Sequence, residues 1–166
     1  MHALVDWIAG ALAPWSDLYM DHAGVEAAVM FLHLGGVVAA GGLAYTLDRA
    51  VLRSHRHGWP RRAHLARELD LAHGAVLGGL AVVLLSGVAL TAADPTIFLL
   101  SWIYWAKMAV VVVLLANGWL LKRSGSRLLA APEDDGAFRK LRRAALRSAG
   151  LWAVSLLAGV AITLYA

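Results

Sequence analysis

Residues 97–121 read IFLLSWIYWAKMAVVVVLLANGWLL, a run of 25 residues with one formal charge, Lys107, near its middle. A bilayer core is crossed by about 20 apolar residues rising ~1.5 Å each, so the run is long enough to span one. An ammonium at such depth costs roughly 3 kcal/mol or more on insertion scales unless it reaches the interface or finds a partner. By helical rise Lys107 lies about 15 Å from the nearer end of the run. The stretch reads as a membrane helix whose single cation needs an explanation.

Three more apolar runs stand around it, at about 25–48, 70–92 and 146–165. With 97–121 they predict an all-α integral membrane protein, four transmembrane helices in an antiparallel bundle, as a single membrane domain over 1–166. A short interfacial helix is expected over 2–13, ended by Pro14, with Trp7 and Trp15 at headgroup depth. The composition agrees: 60% of residues are hydrophobic and 16% charged, against roughly 25% charged in soluble domains. Residues 93–96 are a four-residue link between the second and third spans, short enough for a tight hairpin. Gly36, Ala40 and Ala44 form a small-residue face on the first span, and Gly74 and Gly78 a GxxxG on the second, both suited to close helix approach.

The charges set the expected topology. Fourteen of the fifteen lysines and arginines lie in 48–70 and 122–147, and Lys107 is the fifteenth. The positive-inside rule then places the basic loops, 49–69 and 122–145, in the cytoplasm and both chain ends outside. The localisation expected is a bacterial inner (cytoplasmic) membrane, multi-pass, in contact with the lipid bilayer. The basic sign is absorbed by topology, so no nucleic acid is expected as a partner. Pro132 and the acidic triplet Glu133-Asp134-Asp135 suit the start of the fourth helix. No cleavable signal peptide is expected, since the first 21 residues contain no lysine or arginine.

The chain has no cysteine, which excludes disulfides, thiolate nucleophiles and cysteine-held clusters. No P-loop, dinucleotide fingerprint, HExxH or nucleophile elbow occurs. What remains is a set of polar residues at defined depths. His33 lies roughly 12 Å inside the first span, so it and Lys107 can meet. Trp102, Tyr104 and Trp105 lie nearer the outer end. Tyr45, Asp48, His73 and Asn117 form a second layer near the basic end, with Tyr45 and Asp48 facing roughly the same way and Asp48 paired with Arg49 or Arg53.

His33 and His73 are the metal-ligating candidates. A neutral imidazole can ligate haem iron through one nitrogen and donate from the other, and Gly35-Gly36 would give a porphyrin room. The plainer reading of His33 is an interhelical hydrogen bond to a carbonyl or to Ser101, with the glycines present for packing. The two histidines are separated by ~25 Å or more in depth, too far to clamp one haem. His73 suits a proton relay or a capped interface residue. The His55-x-His57 spacing suggests a metal, but Arg53 and Arg56 would repel a cation. Lys107 could hold a haem propionate or a lipid or quinone oxygen, or move a proton.

With FLHLGGVVAAGGLAYTLDRAVLR supplying His33 and Arg49 or Arg53, and YWAKMAVVVVLLANGWLLKR supplying Lys107, the layout resembles the membrane protoporphyrinogen oxidase family of small helical haem b proteins. It is similar also to the copper-resistance D-type membrane domain, through the LHxxG…GG pattern. The first resemblance implies that His33 is a haem ligand or active-site group, Arg49 a cofactor contact and Lys107 an essential, catalytic basic residue. The functional expectation is a b-type haem or quinone-associated redox protein, binding porphyrin or quinone through His33, with Trp102, Tyr104 and Trp105 packed on the cofactor. The alternative is a non-catalytic accessory subunit whose glycine faces dock on other membrane helices, in a homo- or hetero-oligomer. A distinct visible absorption band separates the two.

Overall fold

The computed structural model describes residues 2–54 and 59–165. These fold into α1 (His2–Asp21), α2 (Ala23–Arg53), α3 (Trp59–Ala93), α4 (Pro95–Leu100), α5 (Trp102–Ala130) and α6 (Asp135–Tyr165). The expected helical class holds: α2, α3, α5 and α6 are each long and apolar enough to cross a membrane. Neighbours pack α2 on α3, α5 on α6, α2 on α6 and α3 on α5.

These four helices are longer than a bilayer core requires, and the surplus gathers at one end. The basic stretches expected as loops are largely helix, because α2 continues to Arg53, α3 has begun by Trp59, α5 reaches Ala130 and α6 starts at Asp135. The reason lies in their apolar faces. Val51, Leu65, Ala66, Leu128, Phe138, Leu141 and Ala145 bury one another in a small core drawn from all four helices. Between α2 and α3 close approach rests on small residues. A Cβ on Gly79 would stand 2.8 Å from that of Ala40, and one on Gly36 2.9 Å from a Val83 methyl. The Gly36–Ala40 face is thus used against α3, but its counterpart is Gly79. Gly74 and Gly78, the expected GxxxG, meet nothing within 4 Å.

Arg62 ties the start of α3 to the start of α6. Its guanidinium donates to Asp135 at 2.6 Å and lies 4.3 Å from the centroid of the Phe138 ring. Asp134 caps α6, its Oδ1 accepting from the Ala137 amide at 2.9 Å, as the acidic triplet implied. The His55-x-His57 pair and Arg56 lie outside the described residues, and α3 opens at Trp59.

Two boundaries differ from the sequence reading. Pro14 does not end the first helix: α1 runs through it to Asp21. Proline removes one helical hydrogen bond, and tertiary contacts hold the next turn in place. Trp15 Nε1 donates to the Ala89 carbonyl at 2.9 Å and the Ser16 hydroxyl to the Ala93 carbonyl at 2.7 Å. Trp15 is therefore half-buried against α3, and Trp7 is the exposed one of the pair.

The run 97–121 is also broken. Asp94 caps α4 by accepting from the Ile97 amide, Pro95 sits at its first positions, and Ser101 is extended at φ −81°, ψ 123°. Trp105 Nε1 donates to the Leu99 carbonyl at 3.0 Å, satisfying one of the carbonyls left free where α4 ends. The helix bearing Lys107 starts at Trp102, so Lys107 is about 7.5 Å along it, not 15 Å.

Candidate functional site

The best-defined polar contact between the apolar helices joins His33 of α2 to Ser86 of α3. Ser86, buried on α3, has its hydroxyl 2.6 Å from the Val82 carbonyl and 3.0 Å from His33 Nδ1. A carbonyl only accepts, so the single hydroxyl proton goes to Val82. In the tautomer protonated at Nδ1, Ser86 Oγ accepts from His33, and the Val83 carbonyl is a further acceptor beside the ring. The imidazole lies flat enough on α3 that a Cβ at Gly87 would stand 3.3 Å from its Cε1. The expected partner of this interhelical bond was a carbonyl or Ser101; the partner is Ser86.

Lys107 on α5 is half-buried, with Nζ 3.6 Å from where a Cβ on Gly159 of α6 would lie. Its ammonium is within electrostatic range of the His33 ring. One turn along α5, the Tyr104 hydroxyl is 3.4 Å from Thr91 Oγ1, and its ring packs on Phe98 and Trp105. Tyr104 thus borders the constellation. Trp102 and Trp105 are 77% and 55% exposed and face out of the bundle. Arg49 is exposed and about 24 Å along α2 from His33 by rise, so it shares no site with it.

The second layer is rearranged. Tyr45 is exposed and Asp48 buried, so these two do not share a face. Among the described residues Asp48 has no salt bridge to Arg49 or Arg53, and its Oδ2 has no hydrogen-bond partner. Asn117, buried at 4% exposure, donates from Nδ2 to the Ala144 carbonyl at 2.8 Å and joins α5 to α6. His73 is half-buried beside Asp70 and Lys122, at the edge of a cavity that Asp48 also lines.

His33 offers one ligand nitrogen, and among the described residues no group of three metal-ligating side chains occurs. The space beside Gly36 is filled by Val82 and Val83, while Gly35 keeps an open face. These residues fit a cofactor held from one side by a single imidazole, not one inserted between α2 and α3. Ser86, unread in the sequence, is what orients that imidazole; a serine among valines and leucines was the available signal. Comparison with protein-family models, with curated proteins and with solved structures finds no match for this chain.

Proposed function

We propose that the chain is a four-span protein of a bacterial inner membrane that holds a redox cofactor of the haem b or quinone class through His33 and Lys107. The antiparallel arrangement is supported by the close approaches, in which Gly36 meets Val83 and Ala40 meets Gly79. Both basic ends then lie in the cytoplasm and both termini outside.

The observation that supports the functional reading is the Ser86–His33 hydrogen bond, which holds an imidazole between apolar helices; in the Nδ1-protonated tautomer its Nε2 carries a lone pair. That nitrogen suits one iron ligand position or the hydroxyl of a quinol. Lys107 suits a propionate or a quinone carbonyl, and its ammonium would have a reason to stay inside the bundle. A bound haem or quinone would supply the electron-transfer chemistry. The protein's share is to hold the imidazole, keep a positive charge nearby and exclude water. The resemblance to the membrane protoporphyrinogen oxidase family fits this division of roles at His33 and Lys107. The test is the cofactor content of the purified chain beside His33→Ala: the variant is expected to lose it, and unchanged content would remove His33 from the site.

A second reading is favoured by Gly74 and Gly78, where an added Cβ would meet nothing within 4 Å among the described residues. In an accessory subunit these would receive a partner helix. Gly78→Leu would then abolish co-purification of that partner and leave the isolated chain folded.

A further inference from the structure

Away from His33, residues of α2, α3, α5 and α6 line a cavity of about 300 Å³. Its walls are mostly apolar, from Leu77, Leu80, Leu114 and Trp152. On its floor is Asp48, 3% exposed, with Oδ2 lacking any hydrogen-bond partner. Ser148 of α6, itself buried, donates its hydroxyl to the carboxyl. The other ionisable groups lining it are Asp70, His73 and Lys122; Asp70 and Lys122 are exposed. The lining shares no residue with the His33 constellation.

A buried carboxyl oxygen without a partner is costly even where the other oxygen has one, and the cost is relieved by a donor placed against it. A mostly apolar cavity with a buried carboxyl in its wall and its other charged groups exposed is the form of a site for an amphipathic molecule. We propose that this cavity binds a compact hydrophobic amine, its ammonium directed at Asp48 and its apolar body between Leu77, Leu114 and Trp152. The ammonium belongs either to a free lipophilic amine or to an aminophospholipid headgroup, and both present the same cation to the carboxyl. A charge-assisted hydrogen bond in a water-poor site discriminates strongly against neutral and anionic heads.

The test uses the full chain in maltoside micelles with adamantylamine, adamantanol and adamantane carboxylic acid, which share one body and differ in the head. The expected result is saturable binding of the amine at one per chain, about tenfold or more weaker binding of the alcohol, and none of the acid. Asp48→Asn is expected to erase the preference for the amine, and Gly118→Leu, which projects into the cavity, to weaken amine and alcohol alike. Displacement of the amine by short-chain phosphatidylethanolamine would identify the lipid as the source of the cation, and no displacement a free amine. Equal binding of amine and alcohol by the wild-type chain, or no saturable binding of the amine, would overturn the proposal.

Discussion

His33 on α2 and Ser86 on α3 are joined by a hydrogen bond of 3.0 Å between two helices that are otherwise apolar at that level. Ser86 also donates to Val82, and its bond to the ring both ties the helices and holds the imidazole. Ser86→Ala removes the hydroxyl and frees the ring to rotate. The variant is expected to lose about 1 kcal/mol of stability and, on the cofactor reading, to bind cofactor more weakly. Thermal unfolding in detergent and cofactor content measure the two effects separately.

Asn117 makes the corresponding tie between α5 and α6. Its Nδ2 donates to the Ala144 carbonyl while Oδ1 is buried without a partner. Asn117→Ala therefore loses one bond and relieves one unsatisfied atom, and the net destabilisation is expected to be about 1 kcal/mol. A loss above about 3 kcal/mol would mean that Oδ1 has a partner in the folded protein.

Gly78 and Gly79 are adjacent and should behave oppositely. A side chain at Gly79 meets the Cβ and Cα of Ala40, whereas one at Gly78 meets nothing within 4 Å. Gly79→Leu is expected to prevent α2 and α3 from closing and to lower the yield of monodisperse protein sharply. Gly78→Leu is expected to leave the isolated chain intact. Size-exclusion profiles of the two variants in one detergent check the contrast.

The Arg62–Asp135 pair lies in the basic helical extension. The hydrogen bond from Arg62, with its charge, holds the Asp135 carboxyl below the usual carboxylate range. A folded-state value below the unfolded one stabilises at pH above the unfolded value, and that contribution fades as pH falls through the folded one. Asp135 is exposed, so the effect is small. Asp135→Asn should lower the melting temperature slightly at pH 7, and by less as the pH falls through the acidic range. A difference that grows on acidification would contradict the pairing.

The helical class and the four long apolar helices were legible because they rest on apolar run length, which tertiary contacts hardly alter. Boundaries were not. The span around Lys107 loses its outer turns because Asp94 and Trp105 cap a separate short helix, and those side-chain-to-backbone bonds leave no periodic trace. The basic stretches looked like loops because arginine counts hide the interleaved Val51, Leu65, Leu128 and Leu141 that build a core there. His33 and Lys107 were picked out by charge and depth alone. Ser86 was missed because a serine in an apolar helix bonds its own backbone as a rule. Asp48 was assigned to a neighbouring arginine by sequence proximity, yet residues at i and i+1 point to different sides of a helix.

The most direct test of the functional account is a reduced-minus-oxidised visible spectrum of the folded chain purified in mild detergent, with quinone extraction from the same sample. The account predicts a b-type haem band or an extractable quinone near one per chain, lost in His33→Ala. A flat spectrum with no quinone, from protein shown to be folded, would contradict it.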